Sequence, residues 1–207
     1  MGIRTWGDQT NALSVRVSHC QKLPRSGHWA WLLLERGATS QPGKVMKIPI
    51  TFFAPAERKP IAVVHRQAGS FSQTPLVLTF LNAALNYVFV LNAQRQIVMA
   101  SENVLELVPG KTMEQIVGLR PGEALGCIHA HDCESGCGTS QFCCQCGAVK
   151  VILMGLEGCR AMEECHLTRL INGKEETLDL RVLATPLVYN DERYTLLAVA
   201  NISPEKQ

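Results

Sequence analysis

The sequence predicts an α+β domain in which a five-stranded antiparallel sheet carries its helices on one face. Three observations predict this class. The clearly patterned part of the chain gives two strands, short helices, a longer helix and then three more strands. Turn-forming residues separate successive strands, which favours hairpins and therefore antiparallel pairing. Hydrophobic residues make up 46% of the 207 residues, enough for a buried core.

The chain divides into four parts by composition. Residues 1–45 are basic and show no sustained hydrophobic period, so we expect a disordered leader. The alternative is an upstream mis-start, because Met46 resembles the natural beginning of a protein. An extended segment is predicted over 46–73, the main domain over 74–203 and a short tail over 204–207. The stable unit is expected to begin near residue 72.

The first patterned elements are a helix and a hairpin. Thr74 can cap a helix that has Pro75 at its first position. The apolar residues of this helix fall on one face, which comprises Val77, Phe80, Leu81, Ala84 and Leu85. "YVFVL" (87–91) has the β-branched and aromatic composition of a strand, and "IVMA" (97–100) returns beside it.

Short helices follow the hairpin. Ser101 can begin one that ends at Leu107, and Thr112 with Gln115 forms a capping-box pair for another. "GLRPGE" (118–123) is predicted to be a turn. After the cysteine-rich stretch, residues 148–156 are predicted to be helical. Strands are then predicted over 160–171, 177–187 and 194–202.

Six of the nine cysteines lie in "CIHAHDCESGCGTSQFCCQCG" (127–147). No export signal is visible, so we expect a cytoplasmic protein with reduced thiols. An odd number of cysteines also argues against a closed disulfide framework. The apolar window 74–93 is interrupted by two asparagines and changes period, so no membrane span is predicted.

Four cysteines form the predicted metal site. Cys143 and Cys146 make a C-x-x-C turn before a helix, where backbone N–H groups stabilise thiolates. Cys127 and Cys137 complete four sulfurs, a set that suits either Zn²⁺ or an iron–sulfur cluster. Their spacing does not distinguish the two, and a redox thiol switch or a site without function remains an alternative.

Other cysteines and histidines are less favoured as ligands of the predicted metal site. The possible substitutes within the stretch are Cys133, Cys144, His129 and His131. The remaining cysteines, Cys20, Cys159 and Cys165, are predicted not to be ligands. The last two lie in or beside a predicted strand, where cysteine is commonly a small packing residue.

Several stretches resemble the PAS domain family. "FLNAALNYVFVLNAQRQIVMASENVLEL" (80–107) resembles the opening of a PAS domain, and "YTLLAVANIS" (194–203) resembles its end. Asn201, Ile202 and Ser203 replace the family's terminal Asp-Ile-Thr triplet. "GLRPGEALGCIHA" and "CGTSQFCCQCGA" resemble a cysteine-rich bacterial subgroup that is often attached to histidine kinases. The resemblance implies a PAS-like fold with a cysteine-rich loop insertion.

The expected function follows from this resemblance and the cysteines. We expect a sensor of redox state, oxygen or metal that acts on a histidine kinase or other signalling protein, since no kinase or cyclase domain is recognised in this sequence. The alternative is that the sequence is a fragment of a longer chain that carries such an output domain. The protein is expected to form a homodimer through the helix at 74–86. Nucleic-acid binding is not expected, since no dense basic stripe is present. The alternatives are a thiol–disulfide oxidoreductase at Cys143 and Cys146, or a small-molecule PAS sensor with structural zinc.

Overall fold

The computed structural model describes residues 51–108, 110–171 and 173–206. The predicted leader and Cys20 lie outside these residues. Five antiparallel strands form one sheet in the order β2-β1-β5-β4-β3. The strands are β1 (Tyr87–Asn92), β2 (Ile97–Ala100), β3 (Ala161–Ile171), β4 (Lys174–Tyr189) and β5 (Glu192–Asn201). The predicted PAS-like α+β fold is therefore confirmed.

Six α-helices accompany the sheet in the described part of the chain. They are α1 (Ile61–Ser72), α2 (Pro75–Asn82), α3 (Val104–Leu107), α4 (Met113–Ile116), α5 (Pro121–Leu125) and α6 (Gly147–Leu156). The capping box predicted from Thr112 and Gln115 is present at the start of α4. None of the described helices is long and apolar enough to cross a membrane.

The sheet has a hydrophobic core on each face. In β1, Phe89 and Leu91 pack with α3, α4, α5 and α6. Val88 and Val90 point the opposite way because side chains alternate along a strand. They pack with residues of α1 and α2. Helices therefore cover both faces, with the two N-terminal helices on the face opposite the other four. The predicted placement of the helices on one face is wrong, because α1 and α2 bury the apolar residues of the second face.

The predicted extended conformation of residues 46–73 is wrong over Ile61–Ser72, which form α1. Val64, Gln67 and Phe71 recur at helical spacing and are buried against the sheet. The Phe71 ring stacks on Tyr189 with 4.7 Å between centroids. The core thus contains residues that precede position 72. The stable unit therefore begins earlier in the sequence than residue 72, where it is expected to begin.

The apolar face predicted for helix α2 is buried on one side and exposed to solvent on the other. Leu81 is buried, and Val77 packs beside it. Phe80 is 69% exposed, and Leu85 just after the helix is 99% exposed. The sheet accommodates only one side of this short helix, so the wider apolar face cannot be buried within a single copy.

Candidate functional site

The cysteine loop, residues 126–146, connects α5 to α6 and covers a cavity of about 330 Å³. All four predicted ligands line this cavity, and so does Cys165 of β3. The rest of the lining is mainly apolar and includes Ile152 of α6 and Leu180 of β4. The structure therefore brings the four predicted cysteines together and adds a fifth.

A glycine in α5 makes room for two of these side chains. A Cβ atom on Gly122 would lie 2.7 Å from Cys137 Sγ and 3.4 Å from Cys127 Cβ. The segment "GLRPGE", predicted to be a turn, instead begins α5 at Pro121. Proline favours the first position of a helix, and the following glycine leaves space for the thiols.

Backbone N–H groups point at four of the five sulfurs. Such hydrogen bonds stabilise negative charge on sulfur and tune thiolate-bound metals. The donors are the amides of His129 and Ala130 for Cys127, of Gly122 for Cys137, of Ala148 and Val149 for Cys146, and of Ala148 for Cys165. The donor set and the space left by Gly122 thus fit a thiolate-bound metal or cluster.

Cys146 and Cys165 form the closest pair, with 3.6 Å between their sulfurs. The hydrogen bond from the Cys165 thiol lowers the pKa of Cys146 despite its burial, and the amides at the start of α6 act in the same direction. The same hydrogen bond and burial raise the pKa of Cys165. Cys146 is therefore favoured as the thiolate of this pair.

The two thiols beside Gly122 are held in their neutral form. Burial raises the pKa of Cys127, and it raises the pKa of Cys137 to about 12. Nearby cysteines act in the same direction, because two negative sulfurs repel each other. A metal that binds these sulfurs must displace their protons, so affinity for it should rise with pH.

The loop does not hold its thiols at metal-binding distances. Within residues 51–108, 110–171 and 173–206, no three Cys, His, Asp or Glu side chains are placed to share one metal ion. Buried Cys143 has its sulfur 3.2 Å from the Ser140 hydroxyl. The predicted four-cysteine ligand set therefore stays a prediction, and binding would require the loop to close.

The possible substitute ligands are placed differently from one another. His129 lines the cavity, where its ring stacks on Phe142 at 4.3 Å and its Nδ1 atom lies 2.8 Å from Asp132. Cys144 is exposed, and the Cys133 sulfur lies 3.8 Å from a backbone carbonyl within the loop. Among the described residues that line the cavity, Cys133, Cys144 and His131 do not occur.

Two buried arginines, Arg120 and Arg95, lie behind the loop, and no motif in the sequence marks either of them. Arg120 is fully buried and donates hydrogen bonds only to backbone carbonyls among its described contacts. Those acceptors are Pro55, Ala56, Glu57, Gln94, Ser135 and Cys137. Burial, together with the charges of Arg95 and Arg58, lowers the pKa of Arg120 to about 9, so it remains a cation at neutral pH.

Arg95 is 3% exposed and donates to the Pro55 carbonyl at 2.6 Å. It lies close enough to Cys137 and Cys143 for ionised sulfurs there to raise its pKa, although burial lowers that pKa more. Two cations therefore stand next to the cavity that the cysteines line. Their positive charge would offset the negative charge of a site built from several thiolates.

The N-terminal strap, residues 51–60, lies across the cysteine loop. The Phe52 and Ala54 amides donate to carbonyls of Thr139 and Gly138, both at 2.9 Å. The Arg58 side chain pairs with Glu123 of α5. Because α1 begins at Ile61, directly after the strap, the loop is linked through the strap to the helix on the opposite face of the sheet.

Comparisons with known proteins give structural matches but no sequence match. No protein-family model matches this chain, and no curated protein does. The PAS domain of an HTR-like protein from Haloarcula marismortui is 13% identical with a TM-score of 0.42, over 63% of this chain and 98% of that one. The PAS domain of nitrogen regulation protein NR(II) from Vibrio parahaemolyticus is 16% identical with a TM-score of 0.41, over 61% and 98%. The VqmA dimer of Vibrio cholerae is 12% identical with a TM-score of 0.40, over 64% and 52%.

Proposed function

We propose that this protein is a signal-sensing module whose input is a thiolate-bound zinc ion or iron–sulfur cluster under the cysteine loop. It would act on a partner signalling protein, such as a histidine kinase, and no catalytic role is proposed for it. The observation that carries the proposal is the convergence of five cysteines on one cavity, with backbone N–H donors aimed at four of them.

The residues of the chain would hold such a group in complementary ways. The predicted ligands are Cys127, Cys137, Cys143 and Cys146. Backbone amides at the start of α6 donate hydrogen bonds to the Cys146 sulfur. Arg95 contributes positive charge beside the thiols. A bound zinc ion or cluster would cross-link the loop to its surroundings, and a cluster would add sensitivity to redox state or oxygen.

The strap provides a route from the cavity to the surface. Arg120 hydrogen bonds to both the loop and the strap, through Cys137 and Ala56 for example. Loss of the bound group would let the loop open and would remove part of the support for the strap. The strap leads into α1, so the output is proposed to be a shift in the packing of the N-terminal helices.

The two alternatives receive unequal support. Thiol–disulfide exchange at Cys143 and Cys146 is weaker, because their described sulfur hydrogen bonds go to Ser140 and Cys165 respectively. A small-molecule sensor with structural zinc has a specific observation in its favour. The cavity extends to apolar Ile152 and Leu180, and its volume of about 330 Å³ is near the lower end for ligand pockets.

Anaerobic purification of the full chain, followed by an absorption spectrum and elemental analysis, tests the proposal. Brown protein with iron and sulfide indicates a cluster, and colourless protein with zinc indicates a zinc site. Protein with free thiols that contains no metal, and that takes up neither zinc nor iron with sulfide when reconstituted, refutes the proposed input.

A further inference from the structure

We propose that Cys165 of β3 is a ligand of the group that Cys146 binds, an inference that rests on the proposed function. The sulfurs of the two residues are 3.6 Å apart. In a tetrahedral zinc site with bonds of about 2.3 Å, neighbouring sulfurs lie about 3.8 Å apart. Cys146 and Cys165 are therefore already at the separation that a shared metal requires.

One of these thiols lies in a strand, and the other immediately precedes a helix. Cys165 is 4% exposed in the middle of β3, where it pairs with Leu180 of β4. Cys146 is the residue that caps the start of α6. The remaining thiols of the cavity lie on the cysteine loop, so the two sides of the site differ in how firmly they are held.

The close contact between Cys146 and Cys165 depends on a glycine. A Cβ atom on Gly147 would lie 2.0 Å from the carbonyl oxygen of Glu164. Only glycine allows the first turn of α6 to lie this close to the β3 backbone. The structure thus presses Cys146 against the strand residue next to Glu164, which is Cys165.

This arrangement assigns two functions to the cysteines of the cavity. Cys146, just before α6, and Cys165 of β3 form a preformed pair. The loop thiols supply the remaining ligands when the loop closes over the cavity. A ligand set drawn only from the loop and the C-x-x-C turn would leave the Cys165 thiol buried against a metal thiolate without coordinating it.

Metal titration of reduced full-length protein tests this inference. Cys165→Ser and Cys146→Ser should each weaken Zn²⁺ and Co²⁺ binding by at least about tenfold, because loss of even an outer contact costs that much. Cys144→Ser is the matched control, since Cys144 is exposed, and it should bind as the wild type does. If the Cys165→Ser variant still binds Co²⁺, its thiolate-to-cobalt absorption should be weaker than that of the wild type.

Because Cys165 is buried, circular dichroism of Cys165→Ser and of Cys165→Ala should show that each variant is folded. Wild-type affinity and an unchanged cobalt spectrum in both folded variants would overturn the inference. If Cys146→Ser loses metal while the Cys165 variants keep it, the proposed function survives and only this inference fails. If the wild type binds no metal, both fail. A Cys146–Cys165 disulfide in metal-free protein purified anaerobically also overturns the inference.

Discussion

At the residue scale, Gly122 controls the space for two thiols. We expect Gly122→Ala to displace Cys137, because the new Cβ would lie 2.7 Å from its sulfur. Overpacking of this kind costs about 1–3 kcal/mol of stability. Metal affinity should fall as well, which a zinc titration with thermal unfolding measures.

Gly69→Ala is the matched control for this glycine. Gly69 lies in α1 with no atom within 4 Å of an added Cβ. Alanine favours a helix by up to about 1 kcal/mol relative to glycine, so this variant should be slightly stabilised. Equal metal affinity and stability in Gly122→Ala and the wild type would show that the thiols do not need this space.

Arg120 is the second residue whose replacement has a clear expected effect. Methionine is nearly as long as arginine but cannot donate to the partly buried carbonyls of Cys137, Ala56 and Glu57, whose described side-chain donor is Arg120. Each buried acceptor left unpaired costs about 1–3 kcal/mol, so Arg120→Met should lose more than about 3 kcal/mol in urea unfolding. Arg193→Met, at an exposed position, should change stability little. A loss below about 1 kcal/mol for Arg120→Met contradicts this account of the loop and strap.

Arg120 and Cys165 show what the sequence could not reveal at this scale. Arginine is seldom fully buried, so nothing in "GLRPGE" marks Arg120 as the residue that ties the loop to the strap. The sequence predicts a packing role for Cys165 because this residue lies within a strand, where cysteine is commonly a small packing residue. Its proximity to Cys146 depends on how α6 packs on β3, which is long-range information absent from local spacing.

At the element scale, the strands could be predicted much better than the short helices. All five strands were located because β-branched and aromatic residues alternate between turns. Helix α1 was missed since it lacks a side-chain cap and contains Gly69. Helix α5 has only five residues, and two of them are Pro121 and Gly122, which usually indicate a turn.

The exposed face of helix α2 indicates how two copies of the protein would associate. Leu76 and Phe80 are 63% and 69% exposed and lie one turn apart on the helix. We propose that this outer face of α2 mediates homodimer formation, because exposed apolar residues grouped on one face favour association. Phe80→Asp should shift the protein toward monomer in sedimentation velocity measurements.

The control for this variant is Met162→Asp, which places the same charge at an apolar position in β3 that is 61% exposed. It should leave the oligomeric state unchanged. A wild-type protein that is monomeric at high concentration, or equal dissociation by both variants, would argue against α2 as the interface.

At the scale of the whole molecule, the cysteine loop is connected to a part of the chain distant in sequence. The strap contacts the loop through two backbone hydrogen bonds and through Arg58, which donates to the Ser135 carbonyl, and Arg120 donates to carbonyls of both segments. The strap–loop hydrogen bonds do not involve β4 and β5, which pair with each other over most of their length. The loop and strap can therefore loosen while the sheet remains folded.

We therefore expect metal removal to raise hydrogen exchange in two separate segments, residues 126–146 and residues 51–60. Amides in the paired regions of β4 and β5 should keep their protection. The measurement compares metal-loaded and chelator-treated protein by mass spectrometry, with Cys144→Ser as a variant that should behave like the wild type. If only the loop changes, the strap does not transmit the signal. If every segment changes together, the metal stabilises the whole fold, and the proposed local switch is wrong.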